Sequence, residues 1–134
     1  MRTFQSDYKF GIEKESAVLD AIKVFDPTLT KTSQYHPFDF AGKTAFVELK
    51  SRNNRKDKYP TTMISQSKIE YAKKNGGVDY IFCFLFQDGL YYIKYDECLF
   101  KEFEVSSGGR CDRGRVETNV YCFIPVDKLC PLIY

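Results

Sequence analysis

Asp39, Glu48 and Lys50 are the residues whose types and spacing suit chemistry at phosphorus. Asp39 follows Tyr35-His36-Pro37-Phe38, and a turn at Gly42 separates it from Ala45-Phe46-Val47-Glu48-Leu49-Lys50. A hard divalent cation such as magnesium prefers carboxylate oxygens, and displacement at a phosphodiester calls for a cation near the attacking water and the developing charge. An Asp ahead of a Glu-x-Lys on a short apolar run supplies the groups for both. A bare Glu-x-Lys is common, and alternation alone would make Glu48 and Lys50 the solvent face of a half-exposed strand. Three features favour the chemical reading. Asp39 falls on the same predicted face, Glu15 interrupts an apolar helix stripe upstream, and a basic segment begins at Lys50 itself.

The elements that must position these groups are a helix and a hairpin. Ser6 or Asp7 is placed to cap a helix running to about Phe25, which Asp26-Pro27 ends because Pro27 disfavours helical geometry in the residue before it. Ile12, Leu19 and Ile22 form its stripe, with Glu15 among them, at the rim of the core or facing a cation. Strands are predicted over Phe38 to Ala41 and Thr44 to Lys50. If Gly42-Lys43 is a two-residue turn, Ala41 pairs with Thr44, Phe40 with Ala45 and Asp39 with Phe46. Asp39, Phe46, Glu48 and Lys50 then share a face, with Asp39 and Glu48 as diagonal neighbours about 7 to 8 Å apart at the backbone. Both carboxylates can grip one metal ion in that register. A shift of one residue would part them.

Further along, Pro60-Thr61-Thr62 is expected to open a second helix lasting to about Lys74, with Ile64, Tyr71 and Ala72 packing and Asn75-Gly76-Gly77 stopping it. Val78 to Phe86 reads as a strand buried on both faces, turned by Gln87-Asp88-Gly89 into Leu90 to Tyr95. A polar glycine loop, a strand from Asn119 to Ile124 and a turn or short helix at Pro125 to Leu129 complete the reading. The order is helix, strand, strand, helix, strand, strand, then mixed.

Composition permits this. The 134 residues, 43% hydrophobic and 16% aromatic without Trp, suit one domain (1–134) with a sheet-rich core. A net charge of +2 is too small for a polycation, so nucleic-acid affinity would come from local patches. Arg52, Arg55, Lys56 and Lys58 form one patch, and Arg110, Arg113 and Arg115 another, each able to neutralise phosphates without reading bases. Five cysteines with no Cys-x-x-Cys pair argue against a zinc site or disulfide framework, and Cys83 and Cys122 fall in apolar strand-like runs. The single histidine, His36, removes most histidine chemistry and is expected to face solvent before Pro37. Tyr91, Tyr92 and Tyr95 are expected in sheet packing rather than stacked on bases. With no secretory region after Met1 and no bilayer-length run, the cytoplasm is the expected location and no membrane partner is expected.

These residues resemble the PD-(D/E)xK nuclease superfamily, with an Asp on the first strand of a hairpin and Glu-x-Lys on the second. Gly11-Ile12-Glu13-Lys14-Glu15 is similar to the Gly-x-x-x-Glu of archaeal Holliday-junction resolvases and small phage or viral enzymes. The resemblance spans about Phe10 to Phe86 and implies an α/β, restriction-endonuclease-like core: a central mixed β-sheet flanked by helices in αβββαβ order. It implies a magnesium-dependent endodeoxyribonuclease, with manganese able to substitute. Asp39, Glu48 and the Leu49 carbonyl would be metal ligands, and Glu15 would hold a coordinated water or a second ion. Lys50 would position or help deprotonate the attacking water. Gln66 and Lys68, near the start of the second helix, would face the substrate. DNA, and branched or four-way junction DNA in particular, is the implied partner, with a homodimer cutting two strands. One departure is that Phe38 separates Pro37 from Asp39. Two other readings remain open, an inactive nuclease-like module that only binds nucleic acid, and a small assembly protein with surface ion pairs.

Overall fold

The apolar run expected to be buried on both faces lies at the centre of the protein. In the computed structural model, which describes residues 16–112 and 115–133, it forms strand β5 (Asp79–Phe86), every residue of which is buried except Asp79. Its side chains alternate between two cores. Tyr80, Phe82, Phe84 and Phe86 face one way, Ile81, Cys83 and Leu85 the other. β5 runs parallel to β3 (Ala45–Ser51), with Glu48 beside Phe82 and Lys50 beside Phe84. Antiparallel neighbours extend the sheet outward. On the β3 side these are β2 (Phe40–Ala41) and β1 (Thr30–Lys31), and on the β5 side β6 (Gly89–Lys94) and β9 (Cys130–Leu132). The six-stranded sheet is therefore mixed and α/β.

Helix α1, described over residues 16–22, covers one face. Its Val18, Ala21 and Ile22 pack with Leu29, Phe40, Val47 and Ile81. Helix α2 (Gln66–Lys74) packs Ile69 and Ala72 on the other face, against Phe38, Tyr80 and Phe82. Cys83 and Cys122 are buried among apolar groups, which pushes their thiols up to about 12 and about 11. The helix stop is as read, with Gly77 at φ 106°.

Three expectations are corrected. Thr61 to Ser65 is not the start of the second helix but strand β4 (Thr61–Ser65), with Thr62 and Ile64 turned inward and Met63 outward, the period of two that β-branched residues favour. The expected glycine loop belongs to a long hairpin, β7 (Glu104–Asp112) and β8 (Arg115–Pro125), and β8 pairs with β4 in a separate three-stranded sheet. A short helix α3 (Glu97–Phe100), capped by the Asp96 carboxylate on the amides of Cys98 and Leu99, follows β6 where no element was expected.

A fourth correction concerns the hairpin. Phe40 pairs with Val47 and Ala41 with Phe46, and the Gly42 amide donates to the Ala45 carbonyl (2.9 Å), so the two turn residues are Lys43 and Thr44. The turn is one residue later than expected and the register two residues different, which preserves the face. Asp26 fixes it: its Oδ2 accepts the amides of Thr44 (2.8 Å) and Ala45 (3.2 Å), and its Oδ1 accepts the Thr28 amide (2.8 Å) and hydroxyl (2.6 Å). Gly42 is required by this contact, because a Cβ there would collide with the Asp26 carboxylate and lie 2.9 Å from Thr28 Oγ1.

Candidate active site

Strand alternation on β3 sends Ala45 and Val47 toward α1, and Phe46, Glu48 and Lys50 toward the α2 face. Continuing the observed register sets Asp39 directly opposite Glu48, closer than the diagonal expected. The chain before β2 is held at this point by Thr32, whose amide donates to the Asp39 carbonyl (3.0 Å) and whose hydroxyl is 2.5 and 2.9 Å from the carbonyls of Phe38 and Asp39. Asp39 Oδ2 accepts the Leu49 amide (2.9 Å). In an antiparallel pair the N–H and C=O of one residue point to the same neighbour, so the Leu49 carbonyl projects toward the Asp39 edge as well.

The two carboxyls lie close enough to hydrogen-bond each other, and their acidities are driven apart. Glu48 is 3% exposed, and burial, followed by the hydrogen bond to and the charge of Asp39, pushes its carboxyl up to about 7 against the opposing charges of Lys68 and Lys50. Asp39 is half-buried, which works against its ionisation, yet the bonds from Glu48 and the Leu49 amide with the charges of Lys31 and Lys50 hold it below the usual range. Lys50 acts on both carboxylates through its charge while forming no ion pair with either among the described residues.

Lys68, on the first turn of α2, reaches into this site. Its Nζ lies 3.2 Å from Glu48 Oε2, donates to the Pro37 carbonyl and sits 5.3 Å from the centre of the Phe38 ring. Phe38 is packed among Tyr80, Tyr71, Phe46 and Phe82, with ring centres 5.2 to 6.3 Å away. This explains the residue that separates Pro37 from Asp39. Phe38 anchors the strand in the core beneath α2, while the carbonyl before it is turned to Lys68. Truncating so buried a Phe typically costs about 3–5 kcal/mol, and here would also release Asp39 and Lys68. The sequence signalled this position only as a departure from Pro-Asp.

Glu48 Oε2 nonetheless has no well-directed hydrogen bond, since the Lys68 ammonium is near in distance but poorly aligned. A buried carboxylate oxygen without a donor, beside a second carboxylate and a carbonyl edge, is the donor set a hard divalent cation takes. No group of three or more acidic, His or Cys ligands occurs among the described residues, and Glu15 lies outside them. Asp39, Glu48 and the Leu49 carbonyl thus fit part of a coordination shell.

The other candidates divide by location. Arg52 is half-buried beyond Lys50, donating from Nε to Thr62 Oγ1 (3.3 Å) and from Nη2 to the Met63 carbonyl (2.6 Å). Arg55 is largely exposed, 3.8 Å from Asp88, and Lys56 and Lys58 lie over the rings of Tyr91 and Tyr59. Gln66 is not at the carboxylates. It donates to Glu70 Oε1 (3.0 Å) and lines a cleft of about 160 Å³ beside α3. Arg113 and the side chains of Arg110 and Arg115 lie outside the described residues. His36 is not a simple solvent-facing residue. Its Nδ1 accepts the Phe38 amide (3.0 Å), and its ring meets the Phe46 ring edge-on at 5.1 Å, so it staples the loop before Asp39. Tyr91, Tyr92 and Tyr95 pack against Phe86, Phe25 and Phe100. Among the described residues no helix is long and apolar enough to cross a membrane.

Comparison with known proteins bears on this geometry. Neither the curated proteins nor the solved structures contain a match. Residues 5–132, which include Glu15, the hairpin, both basic segments and the small sheet, match a family described as "Phage putative PDDEXK endonuclease". An α/β protein with a mixed central sheet and an Asp39–Glu48–Lys50 constellation on one face, matched over nearly its whole length, belongs to this phage family of PD-(D/E)xK nucleases, whose substrate class is nucleic acid.

Proposed function

We propose that this chain is a divalent-metal-dependent endonuclease that hydrolyses phosphodiester bonds in DNA, with magnesium as the working ion and manganese as a substitute. The observation that carries this reading is the buried Glu48 carboxylate, with an oxygen that lacks a directed donor, set against Asp39. Asp39, Glu48 and the Leu49 carbonyl would hold the ion, joined by Glu15. When bound, the cation supplies a Lewis acid that lowers the pKa of a water and offsets charge at phosphorus. Lys50, on the same face as Glu48, orients the attacking water and stabilises negative charge on the phosphate oxygens as the bond to the leaving oxygen lengthens. Asp39 stays ionised at neutral pH and keeps its carboxylate aimed by accepting the Leu49 amide. Lys68 holds the α2 side of the site and is placed to take up a phosphate oxygen. The basic segment from Arg52 to Lys58 contributes phosphate contacts.

The narrower reading is branched DNA cut by a pair of chains, and it rests on the likeness of Gly11 to Glu15 to junction resolvases. A cleavage panel tests both levels: labelled single-stranded, duplex and branched DNA and RNA, each with Mg²⁺ and Mn²⁺, beside Asp39→Asn. Metal-dependent cutting lost in Asp39→Asn is expected, with branched DNA the best substrate. Unchanged cutting by Lys50→Ala would sink the mechanism.

A further inference from the structure

Beyond Lys50 the same strand face leads into a cleft of about 390 Å³ between the two sheets, lined by Arg52, Tyr59, Thr61, Met63, Phe86 and Phe123. Its volume is in the range of small-molecule sites, and its walls are largely aromatic and apolar. Tyr59 and Met63, at its mouth, are 54% and 43% exposed. Lys56 also borders it and Lys58 lies against Tyr59, so the rim is cationic.

Arg52 is the telling residue. Its guanidinium lies 5.9 Å from the centre of the Phe84 ring and is tied to Thr62 and to the Met63 carbonyl, so its position is set by packing. Two of its five N–H donors are engaged, and no carboxylate pairs with it among the described residues. A half-buried guanidinium held in place with donors to spare and no anion is costly unless an anion arrives. Arg52 is two residues from Lys50, about 6–7 Å along a strand, the reach of a neighbouring nucleotide.

We propose that this cleft is a single-nucleotide pocket: Arg52 grips the phosphate next to the scissile one, and the base attached there leaves its stack and inserts between Tyr59 and Phe123. The occupant is committed by complementarity, an anion for the unpaired guanidinium and a flat apolar ring for the aromatic walls. The pocket rests on the nuclease reading for its position relative to the cut, and it extends that reading to substrate form. A base in a regular duplex must be unstacked and unpaired to enter, whereas one at a branch, flap or single strand is already free. The cleft thus gives a physical reason for preferring unpaired nucleotides beside the cut.

The test walks one abasic residue along a labelled oligodeoxynucleotide, reading affinity by fluorescence anisotropy with Asp39→Asn in Mg²⁺ and mapping the cut separately with the wild-type chain. One position beside the cut is expected to lose on the order of tenfold in affinity, with little change elsewhere. Met63→Trp, an exposed position that fills the mouth, should weaken the intact oligonucleotide by a similar factor and flatten the walk, and Tyr59→Ala should do the same from the opposite wall. Arg52→Gln should reduce the salt dependence of binding by about one phosphate. A flat walk, or no binding of any oligonucleotide, overturns the pocket. A positional walk without cleavage in Mg²⁺ or Mn²⁺ keeps the pocket and overturns the nuclease reading instead.

Discussion

Asp26 and Glu48 are both carboxylates with 3% exposure, and the chain treats them in opposite ways. Asp26 has four donors on its two oxygens, three of them backbone amides, and these hold its carboxyl far below the usual range. Glu48 has Asp39 for a neighbour and an oxygen with no directed donor, and burial leaves it near 7. Burial alone therefore does not mark a functional acid. What distinguishes the two is whether the protein itself completes the carboxylate's shell: Asp26 is finished by the fold, whereas Glu48 keeps an oxygen without a directed donor, the opening that the proposed function assigns to a cation.

The largest expected effect comes from exchanging acid for amide at each position. Glu48→Gln should reduce metal-dependent cleavage by on the order of 10²- to 10³-fold while stabilising the metal-free protein at pH 8. The sign follows from linkage. A carboxyl whose folded pKa is raised from 4.5 to about 7 binds its proton more tightly folded than unfolded, so its stabilising contribution is complete below about pH 4.5 and is lost as pH rises through 7. Melting in chelator should show wild-type Tm falling across that window, Glu48→Gln lacking the fall, and Mg²⁺ restoring the wild type at pH 8. Asp26 has the reverse linkage: depressed when folded, it stabilises at every pH above its ordinary value of 3.8 and fails only in strong acid. Asp26→Asn would set an amide donor against the Thr44 or Thr28 groups, so Tm should drop while cleavage per folded molecule is retained. Equal losses of cleavage in the two variants would erase the distinction.

The same contrast explains how much was legible in the sequence. β5 and β6 were, because a continuous apolar run followed by Asp-Gly admits few other structures. The shared face of Asp39 and Glu48 was predicted although the turn was misplaced, since moving a two-residue turn by one changes the register by two and keeps every side chain on its face. The turn itself is set by Asp26, eighteen residues before Thr44, and local turn chemistry contains no trace of that contact. Pro60 resembles a helix start, whereas the strand state of β4 depends on pairing with Tyr121 to Pro125 of β8, a segment that reads as a strand in sequence but does not disclose its partner. Lys68 was visible as a candidate, but its approach to Glu48 and Pro37 depends on where α2 crosses the sheet. Residues whose role is set by the alternation of one strand could be read; those whose role is set by a distant partner could not.

A smaller effect tests the structural half. Gly42→Ala places a methyl against the Asp26 carboxylate and Thr28 hydroxyl, and overpacking of this kind costs about 1–3 kcal/mol. Denaturant unfolding should show that loss with the m-value unchanged. Metal affinity at Asp39 and Glu48 should persist, because the β2–β3 pairing at Phe40 and Val47 lies between the turn and the site. Loss of metal binding in proportion to stability would mean that the Asp26 turn, and not the strand pairing, aims the carboxylates.

The smallest effect concerns which force raises the Glu48 pKa. Burial is its largest cause and Lys68 only opposes it, so removing the ammonium should add to the rise. In Lys68→Met the pH at which metal-free stability falls should move upward, and Glu48 should remain protonated further into the neutral range. A midpoint that moved down would show that the Lys68 side chain raises the Glu48 pKa by excluding water more than its charge lowers it, with the methionine variant admitting water to the carboxyl. An unmoved midpoint would show that the loss of the ammonium charge is offset by an equal change in the hydration of Glu48. No such experiment is open at Asp26, where three of the four donors are peptide N–H groups that no side-chain substitution removes. That asymmetry follows from the comparison itself: a shell completed by backbone is fixed by the fold, whereas the lysine beside Glu48 leaves its Oε2 without a directed donor.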